Sequence, residues 1–353
     1  MEVYMIDLKS FTVNDVFFGA RNSHDGFKSM FGEIFSPRDY DKLFILKGGP
    51  GTGKSTLLRG LVSFANEAYI DARAVLCSSD VSSLDGVILK KNGKKIAVID
   101  GTAPHMQDPS YPGAIDEIIN LGDGFNNRLL ESRREEILHY SEEKSKRYKE
   151  AYRALNTAKS IFDYIWNGIL NSPFYSEAEN IAKTILDGIE ISKIGSFFAN
   201  GIYSAFGKNG HYSLPVAKDK IAVNLSGDGL LCSMVLRAIK RHCDKKGIDA
   251  RLYPDALDDR IAERVCISNT VITYNSGFDN SLALGDYNGE DFLHGFALLQ
   301  SHYTSLLELA QKSFEAAASA HFSLEKIYSG AVDFKNNDKI FTELCQRTRN
   351  ILI

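Results

Sequence analysis

Leu43-Phe44-Ile45-Leu46-Lys47-Gly48-Gly49-Pro50-Gly51-Thr52-Gly53-Lys54-Ser55-Thr56 is the stretch on which the reading of this chain turns. Gly48, Gly53, Lys54 and Ser55 meet the spacing G-x-x-x-x-G-K-[ST]. The apolar run Leu43–Leu46 predicts a buried strand, and Leu57-Leu58-Arg59-Gly60-Leu61-Val62 continues as a helix. Glycines adopt positive φ and let main-chain N–H groups close on phosphate oxygens with no Cβ in the way. A helix starting near Gly53 adds unpaired N–H groups and the positive end of its dipole. The expected anion cradle is therefore Gly48, Gly49, Pro50, Gly51, Thr52, Gly53, Lys54, Ser55 and Thr56. Lys54 would reach the β- and γ-phosphates as a mobile point charge. The Ser55 hydroxyl would ligate Mg²⁺.

Working outward, Ala72–Cys77 reads as a second strand with a polar exit loop, Ser78-Ser79-Asp80. Gly86–Leu89 and Lys95–Ile99 read as two more strands joined by a turn at Lys91-Asn92-Gly93. Strands alternating with helices imply an α/β fold with a mainly parallel sheet covered on both faces. Asp100 ends the last strand, where a carboxylate would hold Mg²⁺ through water. Prolines and glycines between Gly101 and Gly113 make that stretch a loop. Ligands of open α/β sheets sit outside the carboxyl ends of strands, so Thr102 and His105 are candidates to contact a γ-phosphate or a second substrate. His105 ordering its own loop by hydrogen bonding is an equally open reading.

At 353 residues the chain exceeds one ordinary core, and two domains are expected, 1–190 and 191–353. A net charge of −4 supplies no basic field and argues against nucleic acid as a partner. No apolar stretch approaches the roughly 20 residues of a spanning helix, and no signal peptide is evident. Five scattered cysteines without a C-x-x-C fit reduced thiols and a cytoplasmic setting. From about 126 to 166 the pattern is helical, with a stripe through Tyr148, Ala151, Tyr152, Leu155, Ala158, Ile161 and Phe162. Such a helix would run about 60 Å, so a kink or a protruding hairpin is expected. Arg133-Arg134-Glu135-Glu136 reads as a solvated face, with an arginine lid over the ligand as the sharper alternative.

The second half echoes the first. Phe197-Phe198 follows Phe17-Phe18, and Asp219–Val223 follows Asp41–Ile45. Ser226-Gly227-Asp228-Gly229-Leu230-Leu231-Cys232-Ser233 falls on Gly48–Ser55 at one offset, 178 (227 − 49 and 233 − 55). Asp279 and Leu284-Gly285-Asp286 fall on Asp116 and Leu121-Gly122-Asp123 at a second offset, 163 (279 − 116). Shared order and offsets point to internal duplication. Cys232 replaces Lys54, Leu231 replaces Gly53, and Thr270–Thr273 replaces the strand ending in Asp100. A neutral thiol cannot do the work of an ammonium on phosphates, so the second half reads as a degenerate copy with a structural or regulatory role.

The intact loop, Ile96–Asp100 and the duplication together resemble the P-loop NTPases. More closely, the chain resembles an uncharacterised bacterial tandem P-loop family of predicted ATPases or nucleotide-kinase-like proteins. Leu46–Ser55, Cys77–Asp80, Ser83–Val87, Asp100–His105 and Pro112–Gly122 carry the resemblance. It implies the P-loop NTPase fold, ATP and Mg²⁺, and supplies no substrate; in that family the second half usually looks like another working site, from which this chain departs. The expectation is Mg-dependent hydrolysis of a nucleoside triphosphate at one site. Lys54, Asp100 and His105 form the candidate catalytic set, Ser55 and Asp100 the metal ligands, and Asp80, Asp85, Thr102 or His105 orients water. Two rivals stand beside it. One is a kinase passing the γ-phosphate to a small-molecule acceptor, with Arg128, Arg133 and Arg134 available for a lid. The other is a nucleotide-dependent switch whose long helices engage a protein partner. Completion of the site by a second copy of the chain is open.

Overall fold

The computed structural model describes residues 4–5, 15–189, 201–216, 220–274, 281–283 and 295–353. The expected echoes at Phe197-Phe198, Asp279 and Leu284-Gly285-Asp286 lie outside these residues, as does Asp219.

The chain opens with strands β1 (Tyr4–Met5), β2 (Asp15–Phe18), β3 (Ala20–Ser23) and β4 (Gly26–Ser29) and the one-turn helix α1 (Phe31–Ile34). Then come β5 (Lys42–Lys47), α2 (Lys54–Glu67), β6 (Asp71–Leu76), β7 (Leu84–Lys91), β8 (Lys94–Asp100) and β9 (Asp116–Asn120). Helices α3 (Asn127–Ser132), α4 (Arg134–Leu170) and α5 (Phe174–Asp187) follow. The second half supplies β10 (Ser204–Gly207), β11 (Gly210–Ser213), β12 (Ile221–Ser226) and α6 (Gly229–Lys245). Strands β13 (Ala250–Pro254), β14 (Ala262–Ile267), β15 (Thr270–Thr273) and β16 (Ser281–Ala283) precede α7 (Ala297–Ser329) and α8 (Phe334–Leu352). The expected helix over 126–166 is broken at Arg133 and continues to Leu170. None of the helices among the described residues is long and apolar enough to cross a membrane.

Two compact units form, each from separate stretches of sequence. The first gathers Asp7–Ala20, Lys28–Glu150 and Lys312–Ile353, and the second Met1–Ile6, Arg21–Phe27 and Ala151–Gln311. A cut at residue 190 therefore parts each unit from helical segments it contains. The reason is element length: at about 1.5 Å per residue, the 37 residues of α4 outrun one sheet, and α4 is divided between the units at Glu150 and Ala151.

In the first unit the sheet order is β2-β6-β7-β8-β5-β9. Leu43 to Leu46 of β5 are fully buried, as a strand covered on both faces requires. Three neighbour pairs are parallel, β2/β6, β5/β8 and β5/β9. The other two, β6/β7 and β7/β8, are antiparallel, which corrects the simple strand–helix alternation read from the sequence. Asn92 and Gly93 both have positive φ, the signature of a two-residue hairpin turn, and such a turn joins only antiparallel strands.

In the second unit the sheet runs β13-β14-β15-β12-β16, beside a three-stranded sheet β1-β11-β10. Its core joins Phe162, Trp166 and Ile169 of α4 to Met234, Val235 and Ile239 of α6. The succession β12–α6–β13–β14–β15–β16 repeats β5–α2–β6–β7–β8–β9 in order, neighbours and direction. The repeat extends to a hydrogen bond. Leu84 N–H donates to Ser55 Oγ at 3.0 Å, and Ala262 N–H donates to Ser233 Oγ at 2.7 Å, each pair 29 residues apart. It also extends to a β-bulge, because Val75 and Leu76 pair with Gly86 and Leu84, and Tyr253 and Pro254 with Arg264 and Ala262. The skipped residue is acidic in both sheets, Asp85 in one and Glu263 in the other.

These registers correct two alignments. Lys42 and Leu89 both pair with Ile96, while Ile221 and Ile267 both pair with Thr270, so Ile221 and not Lys220 occupies the place of Lys42. From Ile221 to Ser233 the second copy is accordingly one residue shorter than the first is from Lys42 to Ser55. By the same registers Thr273 matches Ile99, and Tyr274 stands where Asp100 stands.

Candidate functional site

All the residues that converge at the C-terminal end of β5 belong to the first unit. Gly48 to Gly53 span the gap between β5 and α2, and Gly53 caps the helix in the left-handed region at φ 85°. Gly51 is also left-handed, at φ 67°. A Cβ on Gly51 would stand 2.4 Å from the Glu325 carbonyl oxygen of α7, so only glycine permits this approach. A Cβ on Gly49 would meet the Tyr328 ring at 3.1 Å. From α8, Asn337 Nδ2 donates to the Thr52 carbonyl at 2.7 Å. The ends of α7 and α8 thus cover one side of the glycine loop.

Lys54 Nζ donates to the carbonyls of Gly48 at 3.0 Å and Gly49 at 2.9 Å, and lies 3.7 Å from Asp100 Oδ2. Asp100 Oδ1 accepts from Thr102 N–H at 2.9 Å and from Thr102 Oγ at 2.6 Å. Thr102 therefore orients the carboxylate. Ser55 Oγ accepts the Leu84 N–H, which ties the start of α2 to the bulge carrying Asp85. Because Ser233 makes the same bond, this hydroxyl braces the fold as well as standing where a cation ligand is expected.

The loop after β8 is pinned from beneath. Lys47 Nζ donates to Gly101 O, Gln107 O and Asp108 Oδ1, each at 2.8 Å. The His105 ring stacks on Phe31, with centroids 4.2 Å apart. These contacts bring His105 Nε2 to 4.0 Å from Asp85 Oδ2. One ligand atom each from Asp85, Asp100 and His105 lies within 4.8 Å of the others. Burial, then the charge of Asp100, pushes the Asp85 carboxyl up to about 8, while the Cys77 thiol and Lys54 act against the shift. Burial pulls the His105 imidazole below its usual value.

Of the other candidates, Asp80 Oδ1 accepts from Ser82 N–H and Oγ, which shapes the exit loop of β6. Arg133 pairs with Glu136 at 2.7 Å on the helix surface. Two residues that the sequence reading passed over share the field of Lys54. Burial, then Lys54, lowers Lys144 of α4. Burial, then Lys144 and Lys54, lowers His321 of α7 to about 4. No sequence signal marks either, since Lys144 is one of many charged residues in its helix and His321 one of two histidines in its own.

The second copy of the turn is built differently. Only Gly227 and Asp228 separate β12 from α6. Asp228 Oδ1 accepts from Leu230 N–H at 2.8 Å and Leu231 N–H at 3.4 Å, so a side-chain carboxylate fills the anion seat at this helix start. Cys232 is fully buried, and burial pushes its thiol up to about 12. Glu263, at the bulge, pairs with Arg264 at 3.2 Å. No family model, curated protein or solved structure matches the chain.

Proposed function

We propose that this chain has a P-loop NTPase fold, and that it binds a nucleoside triphosphate, ATP with Mg²⁺, at the loop between β5 and α2 and hydrolyses it. The observation that carries the proposal is the meeting of Lys54, Asp100, Asp85 and His105 at the end of a strand–glycine loop–helix unit. The donor set suits the ligand: left-handed glycines, a helix start without a capping side chain, an ammonium and a hydroxyl. Lys54 exchanges the carbonyls of Gly48 and Gly49 for phosphate oxygens. Ser55 and Asp100 would hold Mg²⁺, which would neutralise charge on the phosphates. His105 and Asp85 face the same carboxylate and position water. Turnover is slow, because His105 is held by stacking and not by a hydrogen bond at Nε2. The compartment is the cytoplasm.

A second reading draws on α7. Its backbone lies against Gly51, so occupancy of the loop would be felt along that helix, as a switch engaging a protein partner requires.

Phosphate release from Mg-ATP by the purified full-length chain tests the proposal. Lys54→Ala is expected to lower it by about 100-fold or more, and release unchanged in the variant removes the site. ATP binding without turnover, with different co-purifying proteins in its presence, selects the switch. Release that appears only with one metabolite, itself phosphorylated, selects a kinase.

A further inference from the structure

We infer that Asp85, Asp100 and His105 form a three-ligand site for a first-row transition-metal dication, of the Mn²⁺, Co²⁺ or Zn²⁺ class, that fills without nucleotide. This site is separate from the Ser55–Asp100 position for Mg²⁺, with which it shares one carboxylate, and it does not rest on the nucleotide reading.

Three observations carry it. The His105 side chain is only 7% exposed, and its Nε2 has no hydrogen-bond partner. A buried polar nitrogen without a partner is costly, so its presence calls for a ligand. Next, Nε2 stands 4.0 Å from Asp85 Oδ2, too far for a hydrogen bond. Metal bonds of about 2.1 Å place neighbouring ligands of a tetrahedral ion about 3.4 Å apart, and all three donor atoms fall within 4.8 Å of one another, close enough to converge on one ion by small side-chain rotations. Finally, each ligand is held from outside the cluster. Asp85 is aimed by the bulge in β7, Asp100 is fixed by Thr102, and His105 is gripped between Phe31 and the loop that Lys47 pins. Such outer contacts are what keep metal ligands in register.

The donor types choose the cation. Mg²⁺ takes oxygen ligands and keeps its waters, whereas imidazole favours later first-row metals. Three protein ligands leave a coordination position open, as in catalytic rather than structural sites. Lys54, 3.7 Å from Asp100, faces the same carboxylate, so a metal there draws on the charge that otherwise pairs with the ammonium.

The test uses the full-length chain without nucleotide. Titration with Co²⁺, followed by visible absorption, is expected to saturate at about one equivalent with the intensity of a low-coordinate nitrogen–oxygen site. Asp85→Asn and His105→Gln are expected to weaken the binding at least about tenfold. Lys54→Ala, which removes phosphate release, is expected to keep the Co²⁺ spectrum. A readout without substitution stands beside these: substoichiometric Mn²⁺ should broaden the His105 ring resonances before those of His139. Co²⁺ binding unchanged in His105→Gln, no stoichiometric binding by the wild-type chain, or His105 resonances insensitive to Mn²⁺ would each overturn the site. A Co²⁺ spectrum in a protein that releases no phosphate keeps this site and removes only the hydrolysis.

Discussion

Side chains at matching places in the two sheets differ in what each strand end could hold. Lys54 becomes Cys232, Asp100 becomes Tyr274, and Asp85 becomes Glu263, whose charge Arg264 meets at once. Polar chemistry in the second unit is turned inward instead. His211 Nε2 lies 2.5 Å from Asp255 Oδ2, both buried. Burial pushes this imidazole toward neutrality, but Asp255 and then Glu263 outweigh burial and raise it. Burial alone would raise Asp255, but His211 and the Leu257 N–H hold it low. A raised histidine stabilises fully below its unfolded value of about 6.5 and loses that contribution as pH climbs through the folded value. A depressed aspartate stabilises above about 3.9 and loses its contribution as pH falls through the folded value. The pair therefore stabilises most between about pH 4 and 6.5. We expect the thermal midpoint of the wild-type chain to fall as pH rises above about 6.5, and His211→Gln to flatten that fall. The variant should be less stable at pH 6 by about 3 kcal/mol. Equal alkaline slopes for the two proteins would dismiss the charged pair.

At the scale of elements, the two strand–helix turns carry the difference. Six residues, Gly48 to Gly53, leave the start of α2 without a side-chain cap. Gly227 and Asp228 alone precede α6, and the aspartate supplies its own anion to that helix. Asp228→Ala is expected to cost about 1 kcal/mol in denaturant unfolding, the usual weight of a lost cap. It should leave nucleotide stoichiometry at one per chain, since neither an ammonium nor a strand-end carboxylate is restored. Two equivalents in a calorimetric titration of the variant would show instead that the cap alone closes a second site. Strands β5 to β8, the hairpin at Asn92-Gly93 and the start of α2 were readable from local sequence, whereas the edge strands β2 and β9 were not. The bulges were not, because a skipped residue is visible only once its neighbour strand is in register.

At the scale of the molecule, the first unit needs the end of the chain. Arg347 of α8 donates through both terminal nitrogens to Glu117 of β9, Asn337 holds Thr52, and the Phe341 ring packs on Gly60 of α2. A fragment ending at residue 190 lacks all three. We expect it to lose both a cooperative melt and nucleotide binding, and a fragment that keeps 7–20, 28–150 and 312–353 to recover them. Binding by the shorter fragment with the affinity of the full chain would mean that α8 is dispensable.

By itself the sequence determined the glycine loop, its flanking strand and helix, and the carboxylate closing β8. Those features rest on backbone φ, apolar runs and helix starts, which act over a few residues. Tertiary structure alone decided that Asp85 faces His105, that α7 and α8 cover the loop, and that Tyr274 takes the place of Asp100. Burial, register and electrostatic coupling depend on residues far apart in the chain, and those distances exist only once it is folded.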